Sequence, residues 1–80
     1  MIAKFKQYII PEIDEQDVIL INSQNEQGYH LEYDLYQVLE PLFQNYQDIN
    51  TLSFNGYDPL SVKEVLNMFK DEGLLEERER

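Results

Sequence analysis

The sequence predicts an α+β domain in which a three-stranded antiparallel sheet precedes a three-helix bundle, in the order β-β-β-α-α-α. Two observations carry this. The apolar period changes once along the chain, from 2 before residue 34 to 3.6 after it. Strands grouped ahead of helices, rather than alternating with them, also point to α+β and away from a parallel βαβ sheet.

The first predicted strand is Lys4–Ile10, with Phe5, Gln7 and Ile9 on one face, closed by Pro11 because proline cannot donate to a ladder. Residues 11–16 read as an acidic connection. Asp17–Asn22 is the clearest strand, with Val18, Ile19, Leu20 and Ile21 at its centre. A polar turn ends at Gly28, and Tyr29–Tyr33 alternates again, with Tyr29, Leu31 and Tyr33 on one face. Residues 17–33 therefore form a β-hairpin with a longer loop.

Leu35, Val38, Leu39, Leu42, Phe43 and Tyr46 then follow helical spacing, with Asp34 as N-cap. Pro41 interrupts the pattern, which leaves either two short pieces or, the reading preferred, one kinked helix over 34–46. Residues 48–54 read as one or two helical turns capped by Asp48 or Asn50, or as extended chain; Asn55-Gly56 is a turn. The last helix starts from a capping box, Ser61 at N-cap and Glu64 at N3. It carries Val62, Val65, Leu66 and Phe69 as its apolar stripe and ends at Gly73 in the left-handed C′ position. Residues 1–75 make one domain, and 76–80 a frayed charged tail.

Composition limits the function. The 80 residues hold 16 Asp and Glu against 6 Lys and Arg, a net charge of −10. Duplex nucleic acid is repelled by that field and a basic partner is attracted, although the same charge also serves solubility. Without cysteine there is no disulfide, thiolate metal site or cysteine nucleophile, and a cytoplasmic setting is expected. No apolar run reaches the ~20 residues of a membrane span.

The search for chemistry returns little. His30 is the one histidine and reads as a polar residue on the solvent face of its strand. Glu12, Asp14, Glu15 and Asp17 cluster, but no glycine bends the segment as a calcium loop requires, so they read as a solvated loop. The serines lack a nucleophile-elbow setting, and three glycines make no phosphate cradle. The expectation is a protein that is not an enzyme and takes no cofactor or metal. Six tyrosines are many for this size. They are either ordinary core and surface residues or, in an edge strand such as Tyr29–Tyr33, apolar contacts beside open backbone groups that capture a peptide by strand addition.

Three stretches resemble a known family. These are the hairpin Asp17–Asn22 with Gly28-Tyr29-His30-Leu31, the segment Val38-Leu39-Glu40-Pro41-Leu42-Phe43, and the ending Ser61–Leu75, which closes in Glu72-Gly73-Leu74-Leu75. Together they resemble the RiPP recognition element, the peptide clamp of ribosomal natural-product biosynthesis. Its type member is the peptide chaperone of pyrroloquinoline quinone synthesis. Leu31-Glu32-Tyr33-Asp34 and Tyr46–Thr51 depart from the family's pattern.

The resemblance implies a winged-helix-like fold and a precursor leader peptide docked as an extra strand beside Tyr29, His30, Leu31, Glu32 and Tyr33. It also implies a groove floored by Val62, Lys63, Val65, Leu66, Phe69 and Lys70 of the last helix, and a modifying enzyme to which the peptide is presented. Two other classes compete. One is an acidic inhibitor or immunity-type protein that binds a basic partner. The other is a winged-helix regulator, disfavoured because Glu64, Asp71 and Glu72 offset Lys63 and Lys70.

Overall fold

In the computed structural model, which describes residues 1–79, six strands form two three-stranded antiparallel sheets. The strands are β1 (Ile2–Phe5), β2 (Ile9–Asp14), β3 (Asp17–Asn22), β4 (Gly28–Glu32), β5 (Gln47–Asp48) and β6 (Leu75–Arg78). The helices are α1 (Tyr33–Leu39), α2 (Pro41–Gln44) and α3 (Pro59–Asp71), with a 3-10 turn at Ile49–Thr51. One sheet is a local meander, β2-β3-β4. The other has the order β5-β1-β6 and joins the two ends of the chain. The expected β-β-β-α-α-α order with a winged-helix-like three-helix bundle is therefore wrong: α3, with 13 residues, is the single long helix among the described residues.

The expected strand 4–10 is two strands in different sheets. A turn at Lys6–Tyr8 separates them, closed by the Ile9 N–H donating to the Lys6 carbonyl at 3.0 Å. Pro11 does not end a strand. It lies inside β2, opposite Leu20, and β2 is an edge strand, where a missing N–H is tolerated. The acidic connection expected at 11–16 shrinks to Glu15-Gln16, the tip of the β2–β3 hairpin, with Glu15 at φ 55°.

Pro41 splits the helix expected over 34–46 into α1 and α2. Proline has no N–H to continue the ladder but fits the first turn of a new helix, which is its place in α2. The expected cap at Asp34 lies inside α1, whose N-cap is Glu32 without a side-chain bond. α3 begins earlier than expected. Asp58 caps it by accepting from the Leu60 N–H at 3.2 Å, with Pro59 in the first turn, and Ser61 donates its hydroxyl to the same carboxylate at 3.3 Å.

The far end of α3 is as expected. Gly73 has φ 85°, its N–H reaches the Lys70 carbonyl, and the Leu74 N–H reaches the Phe69 carbonyl at 2.8 Å, which is a Schellman closure. The expected frayed tail is mostly β6, paired from Ile2↔Arg78 to Phe5↔Leu75; Arg80, its last member, lies outside the described residues.

The core lies between the inner faces of the sheets and the helices. Ala3, Phe5 and Leu75 face inward from one sheet, and Ile9, Val18, Leu20 and Leu31 from the other. They meet Val38, Leu39 and Leu42 of α1 and α2, and Val62, Leu66 and Phe69 of α3. Phe5 is the hub, stacked on Phe43 at 4.1 Å between ring centroids and tilted against Phe69 at 6.1 Å. No helix of the described residues is long and apolar enough to cross a membrane.

Candidate functional site: the β4 edge and its facing helix

β4 is the outermost strand of the meander, with β3 on one side and no strand beyond it among the described residues. Alternation along β4 gives its two faces different work. Tyr29 and Leu31 turn inward, opposite Leu20 and Val18; Gly28, His30 and Glu32 turn outward.

Tyr29 ties the strand to α3. It is half-buried, and its ring meets Phe69 edge-on at 6.0 Å between centroids. Its hydroxyl donates to Gln27 Oε1 at 3.2 Å and also lies beside the Glu72 carboxylate. Partial desolvation, and then that carboxylate, raise the Tyr29 pKa above its ordinary value. Phe69 and Glu72 are three residues apart on α3, so one side of the helix is turned to the strand; Val65, half-buried and one turn earlier, belongs to the same side.

At the other end of β4, Tyr57 donates its hydroxyl to Glu32 at 3.3 Å. Desolvation first, and the Glu32 carboxylate second, raise its pKa. Open depressions flank this end, one lined by Gln16, Asp17, Glu32, Tyr33 and Asp34, the other by Asp34, Gln37 and Asn55–Tyr57. Their floors are polar and acidic.

The residues expected to bind peptide fall into distinct groups. Tyr29, Leu31, Val65 and Phe69 lie along the strand–helix junction. Val62, Leu66 and Phe69 are at most 1% exposed, so their side chains are core material rather than an open groove. His30 is exposed, with Nε2 2.8 Å from Asp17 Oδ1. Tyr33 is not in the strand: it opens α1, its N–H donates to the Gln16 carbonyl at 2.9 Å, and its ring lies 6.2 Å from Tyr36.

Lys70 is turned away from β4. It pairs with Glu77 of β6 at 2.8 Å, and that hydrogen bond raises its pKa. Lys63, seven residues earlier on the same side of the helix, shares that orientation. Sequence reasoning missed Glu72 and Tyr57. The i, i+3 relation of Glu72 to Phe69 was a usable signal for the first. Tyr57 lies in a stretch whose path no local pattern defines.

The described residues contain no group of three or more His, Cys, Asp or Glu side chains placed to hold a metal ion. No family model, curated protein or solved structure matches this chain.

Proposed function

We propose that this chain is a non-catalytic binding module that takes an extended peptide as an additional strand along β4. The observation that carries the reading is the pairing of an open strand edge with a facing helix. Backbone groups of Gly28–Glu32 supply generic strand pairing, while the half-buried Tyr29, its ring packed on the core residue Phe69, and the Glu72 carboxylate adjoin that edge. Main-chain bonds of this kind give affinity, and side-chain contacts beside the edge give selectivity.

The peptide class is the leader of a ribosomally made precursor, presented to a modifying enzyme in the cytoplasm. That assignment rests on the resemblance of residues 17–31 and 61–75 to leader-binding domains, not on their winged-helix architecture, from which this chain departs.

The test is a titration of the isotope-labelled protein with the precursor leader encoded nearest its gene, followed by amide NMR shifts. Shifts centred on Gly28–Glu32 and on Val65–Glu72 that persist at high salt are expected. Tyr29→Ala should weaken binding about tenfold, because it removes the aromatic anchor while leaving the strand backbone in place. No shifts, or shifts confined to Glu12–Asp17 and abolished by salt, would overturn the reading.

A further inference from the structure

The outer face of the β2-β3-β4 meander does not look like a solvated sheet surface. An antiparallel sheet with one face on the core ordinarily presents polar side chains on the other. Here the outward positions of β2 and β3 include Ile10, Ile19 and Ile21. Ile10 is 49% exposed and Ile19 42% exposed, and Ile10 pairs directly with Ile21 across the strands. Gly28 follows on β4, opposite Ile21. A Cβ there would lie 3.1 Å from Ile19 Cγ2, so the isoleucine leans over the glycine and carries the apolar strip towards the third strand.

The rim of this strip is one-signed. Glu12 and Asp14 on β2, Asp17 on β3 and Glu32 on β4 share the outward face, and its one basic-capable side chain, His30, is held by Asp17 at 2.8 Å. The imbalance has a source in the sequence: residues 7–62 contain ten Asp and Glu and no Lys or Arg. Two copies placed face to face would set these carboxylates against each other, which opposes self-association.

We infer that this face is a docking surface for a partner protein, and that the partner contributes an amphipathic helix with an apolar stripe flanked by Lys and Arg. Three strands spaced about 4.8 Å apart make a platform matched to a helix about 10 Å across. The apolar strip takes the stripe, and the carboxylate rim takes the cations and fixes the orientation. The surface shares Gly28, His30 and Glu32 with β4 but uses the outward face of the sheet rather than the open backbone edge, so it stands whether or not that edge binds peptide.

The test uses a helix-forming peptide with leucines on one face and lysines on the other. A control peptide keeps the lysines and replaces the leucines with glutamine. Amide shifts centred on Ile10, Ile19 and Ile21 are expected with the leucine peptide, with the control about tenfold weaker. Ile19→Ser, and independently Ile10→Ser at the sheet edge, should each weaken the leucine peptide several-fold while the urea midpoint of the free protein stays near wild type. Equal binding of the two peptides, or indifference to both substitutions, would reduce the effect to net charge and overturn the inference. So would sedimentation showing a dimer of the free protein that Ile19→Ser dissolves, since the face would then belong to a second copy.

Discussion

Truncation after Leu74 should unfold much of the population, and the size of the effect follows from what β6 contributes. Leu75 is 5% exposed in the core, and losing its side chain costs about 2–3 kcal/mol. Arg78 lies 4.4 Å from the centre of the Tyr46 ring, a cation–π contact of about 0.5–1 kcal/mol at a surface position. The Lys70–Glu77 pair is more than a third exposed on both sides, so solvent screening leaves it a minor contributor. β1 also loses the partner that covers Ile2–Phe5, and keeps only the two-residue β5. Leu75 and Arg78 together account for about 2.5–4 kcal/mol, and the lost pairing of β1 adds to that, against about 4–12 kcal/mol for a whole domain of this length. Urea unfolding followed by far-ultraviolet circular dichroism would show a large fall in midpoint, or no folded baseline at all. A midpoint equal to that of the intact chain would mean that residues 75–79 are an appendage, and would refute the pairing of β1 with β6.

Two further predictions concern stability. Gly73→Ala should cost about 1–2 kcal/mol: a Cβ would meet only Lys6 Nζ, at an ordinary contact distance of 4.0 Å, but φ 85° forces a side chain into the left-handed region. An unchanged urea midpoint would contradict the Schellman closure of α3. Stability should also fall in alkali. Tyr29, Tyr36 and Tyr57 are raised from 10.0, mainly by desolvation, and Lys70 from 10.5, mainly by its hydrogen bond to Glu77. The folded state holds these protons more tightly than the unfolded state. Their stabilisation is therefore complete below pH 10 and is lost as pH climbs through the raised values. Urea midpoints at about pH 8 and about pH 11 test this; equal midpoints would refute it.

The elements legible in the sequence are those built from near neighbours. The hairpin of β3 and β4 shows in the run Val18–Ile21 and the alternation Tyr29–Leu31, because a two-residue period is a local property. The end of α3 shows in Gly73-Leu74 for the same reason. What stayed hidden depends on partners far away in the chain. Glu76-Glu77-Arg78 has no strand propensity of its own and becomes β6 only because β1 offers an edge. The break between β1 and β2 carries no Gly or Pro to mark it, while Pro11, which looks like punctuation, sits harmlessly on an edge strand.

For the candidate site, the strand was found and the helix was found, but not which side of the helix meets the strand. Three of the chosen helix residues are core, and both lysines lie on the flank turned to β6. Periodicity identifies an apolar stripe, but it does not say where along its border the stripe stays accessible.

The pairing of Ile2 with Arg78 also bears on how the chain reaches this fold. The β2-β3-β4 meander closes through short loops and can form as soon as its residues are available, whereas β1 must wait for a partner nearly a whole chain length away. During synthesis β1 would therefore emerge with its principal partner not yet made, and would stay unpaired until Leu75–Arg78 become available. The meander would form early and the β1–β6 pairing later, which makes Ile2–Phe5 the segment most exposed to mispairing along the way.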